Sequence, residues 1–317
     1  MGILPTAIGA GAPLRHRVGG ERALPVHEIS LGTPVLLGPT TEVIFPEARP
    51  MGDAGLFHLW ESETYLIGSA ALPVSATALA GLAARRIYDE VLRLTGTHHH
   101  LCRIWNYVPD INSIGGDGLE VYQSFCRGRS LAFESAWGCK FKTRLPAASA
   151  VGCGDDKLIV LFAASRNQPS HFENPFQIPA YNYPCEYGPR PPSFARASVT
   201  RTADGRLDVY VSGTSSVRGH RSIAVGDTAS QVLCTLENLR DISQASGLGE
   251  RCGIDRADVA HIKIYLRHPE ELATVGPILQ NQFSGKDLRI YAVQADVCRT
   301  NLNIEIEVTA RGVRAAQ

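Results

Sequence analysis

The sequence predicts an α+β protein built from two related units, each a mixed sheet with helices packed on one face. Two observations predict it. The order strand, helix, strand, helix, strand occurs twice along the 317 residues, and the anchors YLIGSA and VYVSGT, then RIWNYVPD and KIYLRHPE, fall at corresponding places with matched stops at Pro109 and Pro269. Helices on one sheet face leave the other face to be covered by a neighbour.

The elements follow in order. Residues 1–56 open with a loose Gly/Pro-rich arm, MGILPTAIGAGAPLRHRVGG, followed by the extended segments LPVHEISLGTPVLL and TEVIFPE. These read as strands and loops packed on another part of the chain. FHLWESETYLIGSAALP reads as a hairpin, and Ser75 to Thr95 as an amphipathic helix with Ser75 as its cap. A strand ending at Pro109, a helix over GLEVYQSFCRGRSLAFES and a strand from Lys157 to Asn167 complete the first half. The link Asn167–Ala197 is rich in proline, but its many rings predict a segment lying against the protein, close to a pocket between the units.

In the second half LDVYVSGTSSV is a strand, and Thr228 to Ser246 is a helix with Gly247 and Gly249 beyond it. VAHIKIYLRHPE, EELATVGPILQNQF and LRIYAVQADV read as strand, helix and strand. The divisions predicted are 1–166, 167–197 and 198–317. The closing stretch, Leu288 to Ala310, reads as two strands with a short polar turn at Arg299 to Asn303. Its second strand alternates strictly: Ile304, Ile306 and Val308 share one face, Glu305 and Glu307 the other. That pattern fits a wet edge strand, or a buried face on which a carboxyl group keeps its proton and serves as an acid.

Composition excludes several classes. Thirty-one basic residues balance 31 acidic ones, so no overall field favours nucleic acid or an anionic membrane. No apolar run of about 18 residues is present, as a membrane-crossing helix would need. The opening lacks the basic start and apolar core of a secretory signal. The eight cysteines are scattered without a CxxC pair, which predicts reduced thiols and a cytoplasmic protein. His98, His99 and His100 are contiguous and would alternate in a strand, so they do not converge on a metal. Gly115, Gly116 and Gly118 lack the lysine of a phosphate loop, and no nicotinamide or flavin fingerprint is present. Neither metal nor cofactor is expected.

Two resemblances narrow the reading. VYVSGTSS, HIKIYLRHPEELATV and IEIEVTA make the second unit similar to the RidA (YjgF) family, which implies that both units are RidA-like, chorismate-mutase-like folds. PSFARAS stands where that family has a pocket segment, with its central residues changed to Phe194, Ala195 and Arg196; Arg289 lies near the family's carboxylate-binding arginine. Nearly the whole chain resembles the chorismatases, through CRIWNYVPDIN, GLEVYQSFCRGRSLAF, YPCEYGPRPPSFARA, SGTSSVRGH and QADVCRTNLNIEIEV in family order.

The second resemblance implies an enzyme that releases pyruvate from chorismate, with Glu305 in the place of the family's catalytic acid. The substrate's two carboxylates call for arginine forks. Arg129, Arg196 and Arg221 are the candidates, with Arg103, Arg190 and Arg299 behind them. Tyr187 is a candidate for orienting the ring, and Cys185 for substrate contact. Gly213 and Cys298 match the branch that forms 3-hydroxybenzoate, whereas alanine in the SGT segment accompanies the branch that hydrolyses chorismate to a dihydroxycyclohexadiene carboxylate. A noncatalytic small-molecule binder with a RidA-like cleft is the alternative outside enzymes. For each arginine taken singly, a surface salt bridge is the plainer assignment; Gly213 could serve a bulge and Cys298 a core.

Overall fold

The computed structural model describes residues 11–20, 27–74, 80–283 and 288–314. Its strands are β1 (Pro13–Val18), β2 (Glu28–Leu37), β3 (Thr41–Ile44), β4 (Arg49–Ala54), β5 (Phe57–Glu61) and β6 (Tyr65–Pro73). Helix α1 (Ala80–Thr95), β7 (His100–Pro109), α2 (Val121–Trp137), β8 (Ala147–Cys153) and β9 (Lys157–Ser165) complete the first unit. The connector carries β10 (Ser170–Phe172). Then come β11 (Ala197–Arg201), β12 (Leu207–Thr214), the small hairpin β13 (Val217–Arg218) and β14 (Arg221–Ser222), α3 (Thr228–Ala245), β15 (Val259–Leu266), α4 (Leu272–Gln282), β16 (Leu288–Gln294) and β17 (Ile304–Val313).

The duplication is explicit in the topology. One sheet runs β4-β5-β6-β9-β7-β8, and the other contains β11-β12-β17-β15-β16 in the same order. Strand β9 in the first sheet and β17 in the second pair antiparallel with both neighbours, and the last two strands of each run are parallel. Helices α1 and α2 cover one face of the first sheet, around Ile87, Tyr88, Phe125 and Phe133. Helices α3 and α4 cover one face of the second, around Val232, Leu239, Val275 and Ile306. The two uncovered faces close on each other through Tyr65, Trp105, Tyr107, Tyr210, Tyr265 and Tyr291. Aromatic rings bury large areas per residue, which suits them to this sheet-to-sheet contact.

Helix positions agree with the periodicity. Asp227 caps α3, its side chain accepting a hydrogen bond from the Ser230 amide at 3.0 Å. The Ser75 cap expected for α1 lies outside the described residues. Strands β1–β3 answer where the N-terminal segments pack: β2 pairs with β16 and extends the second sheet, not the first. The closing stretch differs from its expected form. Strands β16 and β17 are not joined by a short turn but flank β15 on opposite sides, and residues 295–303 cross between them. Strand β17 therefore lies inside its sheet, with both edges paired. No helix among the described residues is long and apolar enough to cross a membrane.

Candidate active site

Alternation on β17 sends Ile304, Ile306 and Val308 into the helix-side core and turns Glu305 and Glu307 toward the first unit's sheet. Both carboxylates are buried. Their surroundings differ completely. Glu307 is held by Arg103 Nη2 at 2.6 Å, Ser149 Oγ at 2.6 Å, Trp105 Nε1 at 3.0 Å, Tyr265 Oη at 3.1 Å and Lys263 Nζ at 3.2 Å. Despite burial, Lys263 and Arg103 keep its carboxyl below the usual carboxylate range.

Glu305 has no hydrogen-bond or ion-pair partner among the described residues. Burial, reinforced by the charge of Glu307, pushes its carboxyl up to about 8, so it carries a proton at neutral pH. The alternation alone left a wet edge and a buried acid equally open; an internal strand facing a second sheet decides for burial.

Glu305 lies on the wall of a cavity of about 430 Å³ to which both units and the connector contribute. From the first unit come Tyr122 and Arg129 of α2 and Ala148–Ala150 of β8; from the connector, Tyr183, Tyr187, Phe194 and Arg196; from the second unit, Gly213, Arg221 and Cys298–Leu302. The backbone of the two units is stitched beside it. Ser212 Oγ accepts from the Ala148 amide at 2.8 Å, and Ser149 Oγ accepts from the Gly213 amide at 3.0 Å.

Seven of the eight residues singled out by sequence reach this cavity: Glu305, Arg129, Tyr187, Arg196, Gly213, Arg221 and Cys298. Cys185 does not. It is exposed on the short turn Cys185–Tyr187, which presents Tyr187 to the cavity and leaves the thiol to solvent. Arg129 is fully buried against the Phe125 ring at 5.0 Å, and its Nε and Nη2 have no hydrogen-bond partner among the described residues. A buried guanidinium with unused donors beside a cavity is suited to an anionic ligand. Arg196 donates to Tyr183 Oη at 2.8 Å but keeps Nε unsatisfied, with Glu173 3.9 Å away.

Arg221 is exposed on β14 and has no ion-pair partner among the described residues. Tyr187 meets His220 Nδ1 at 3.2 Å and lies under the Arg299 guanidinium at 4.1 Å. Burial, with the neighbouring Glu305, raises the Cys298 thiol to about 12, which keeps it neutral.

Gly213 sits where the β12–β17 register shifts, consistent with a bulge. It also has a second constraint. A Cβ there would lie 2.5 Å from Glu305 Cδ and 3.1 Å from its Cγ. The reserve arginines separate: Arg299 lines the cavity, Arg103 serves Glu307, and Arg190 pairs with Glu134 at 2.8 Å. Ser149, Tyr122 and Tyr183 escaped the sequence reading. Ser149 lies in AASAVGC, whose small residues carry no clear period, and the tyrosines had only the general ring-richness of their segments as a signal.

A buried glutamate that keeps its proton, with arginines holding unused donors around the same cavity, suits delivery of a proton to an anionic substrate. The comparisons specify the family. Residues 46–164 match the family model described as chorismatase FkbO/Hyg5-like, N-terminal. The chain is 39% identical over 252 residues to a chorismatase of Streptomyces rapamycinicus, covering 77% of this chain and 73% of that one. It is 36% identical over 261 residues to a 3-hydroxybenzoate synthase of Streptomyces hygroscopicus, covering 80% and 75%. A crystal structure of a chorismatase aligns with a TM-score of 0.74 at 28% identity, over 96% of this chain and 95% of that one. The protein belongs to the chorismatase family.

Proposed function

We propose that the chain converts chorismate to 3-hydroxybenzoate and pyruvate, with Glu305 as the general acid. The observation that carries this reading is the contrast on one strand face: Glu307 saturated with donors, Glu305 buried on the cavity wall with none. Chorismate carries an enolpyruvyl ether, and proton delivery to its vinyl carbon generates an oxocarbenium ion. A carboxylic acid that still holds its proton at neutral pH can make that delivery. Arg129 and Arg196, with unsatisfied buried donors, are the clamps for the two carboxylates, and Arg221 adds a cation at an exposed part of the wall. Tyr187, held by His220 and Arg299, orients the ring.

For the aromatic product the ring hydroxyl oxygen attacks the neighbouring ring carbon that bears the ether, breaking that C–O bond so that pyruvate departs as its ketone and an epoxide-like intermediate forms. Opening of the epoxide with loss of the proton from that ring carbon gives the phenol, so chorismate divides into 3-hydroxybenzoate and pyruvate with no net water. Gly213 leaves the acid in its pose, and Cys298 contributes a small neutral wall. In the same reading the chain divides into 1–166, 167–197 and 198–317, the last segment carrying the acid while the others close over it. Its eight free cysteines suit a reducing, cytoplasmic compartment.

Incubation of the purified protein with chorismate, followed by chromatographic identification of products, tests this. Pyruvate with 3-hydroxybenzoate is the expected result. Pyruvate with the dihydroxycyclohexadiene carboxylate would replace the product assignment, and unchanged chorismate would leave only a binding role.

A further inference from the structure

The mechanism leaves unused a group of buried charges behind Glu305. Lys263 Nζ lies 3.2 Å from Glu307 and 2.6 Å from Glu42 on β3, and Glu42 in turn meets His16 of β1 at 2.6 Å and His261 at 2.9 Å. Burial, with Lys263 nearby, holds His16 below the usual histidine range. Arg103 completes the set on the other side of Glu307. Two cations, Arg103 and Lys263, therefore balance two carboxylates, Glu307 and Glu42. A third negative charge on Glu305 would have no cation of its own in contact among the described residues. Glu305 and Glu307 point to the same side of β17 two residues apart, with Cα atoms about 7 Å from each other.

Resting on the reading of Glu305 as the acid, we propose that Glu307 is its positioning residue: a carboxylate locked in the ionised form by this lattice, whose charge keeps the transferable proton on Glu305. Other charged groups act on Glu305 from each neighbouring element. Arg103 on β7 and Arg196 in the connector oppose Glu307, while burial of Glu305 acts with it. Cys298 faces it as a neutral thiol. Arg129, Arg299, Arg221 and Glu120 stand elsewhere on the cavity wall. Among these, Glu307 is the carboxylate that shares the strand face of Glu305, and its five described donors fix its own state. The N-terminal strands thereby reach the site through Glu42 and Lys263.

The test uses the full chain and its Glu307→Gln variant, with Glu307→Gln/Lys263→Met as a charge-balanced companion should the single change prevent folding. Infrared spectroscopy without substrate follows the protonated carboxyl band that Glu305→Gln abolishes. In the parent protein this band persists to near pH 8; in either folded variant its midpoint falls by at least one pH unit, a tenfold loss of proton affinity. The alkaline limb of pyruvate release moves by the same amount while KM stays within about twofold. An unchanged midpoint in a folded variant overturns the proposal, and so does a parent midpoint near the ordinary glutamate value of 4.5. The infrared midpoint needs no turnover, so failure to act on chorismate would count against the proposed reaction and not against this pairing.

Discussion

Gly213 and Glu305 face each other across the β12–β17 pair so closely that a side chain at 213 would occupy space used by the acid. A Cβ would come 2.5 Å from Glu305 Cδ, nearer than van der Waals contact permits. Gly213→Ala must therefore rotate the carboxyl group. Displacement of a reacting group by about 1 Å can cost on the order of 10²-fold in rate. The expected outcome is a slower enzyme whose products shift toward the nonaromatic diol, measured as the chromatographic ratio of diol to 3-hydroxybenzoate. An unchanged rate and ratio would remove Gly213 as a selector.

Arg129 is a buried cation with two unsatisfied nitrogens. Charge-assisted hydrogen bonds contribute about 1.5–3 kcal/mol, so Arg129→Met should raise KM for chorismate roughly 10- to 100-fold. Stability should move the other way or not at all, because the variant no longer buries an unpaired charge. Steady-state kinetics together with a thermal melt checks both. A large fall in melting temperature with normal KM would mark Arg129 as structural.

Protonation of Glu305 makes activity pH-dependent. The free enzyme's kcat/KM should fall as pH rises through about 8, where the acid loses its proton. Stability follows the same group. A folded-state value raised from 4.5 to about 8 means that the folded protein binds the proton more tightly than the unfolded chain. Stability from this group is present in full below about 4.5 and is lost progressively up to about 8. The size is on the order of 5 kcal/mol for a shift of this extent. Urea denaturation at pH 6 and pH 9 should show a steeper loss for the parent protein than for Glu305→Gln; equal slopes would contradict the protonated state.

Much of the fold was legible because duplication leaves matched anchors. Helices α2, α3 and α4 fell where their patterns placed them, within a few residues. Long-range pairing was not legible. Nothing local to Leu14, His16 and Val18 tells that β1–β3 extend the sheet of the second unit, and nothing in LRIYAVQ tells that β16 pairs with β15 and not with β17. Within the repeat β9 occupies the place of β17, and β8, unmarked by alternation and absent from the sequence reading, occupies that of β16.

The site was legible mainly through the resemblance. Alternation placed Glu305 and Glu307 together but could not distinguish them, because their difference comes from donors supplied by Arg103, Trp105 and Ser149 in another sheet. Arg129 stood among the first candidates and Arg103 in reserve, but nothing in the sequence said what either side chain meets. Only the presence of a carboxylate beside one and a cavity beside the other separates their roles. Cys185 was drawn in by its motif, yet its turn leaves it outside.

The proton of Glu305 is the one group that the proposed reaction cannot do without. Pyruvate release from chorismate by Glu305→Gln, measured against the parent protein with folding checked by circular dichroism, tests it directly. Glutamine preserves the shape and removes the transferable proton, so the rate should fall by at least about 100-fold in a folded protein. Turnover near the parent rate would contradict the assignment of Glu305 as the acid.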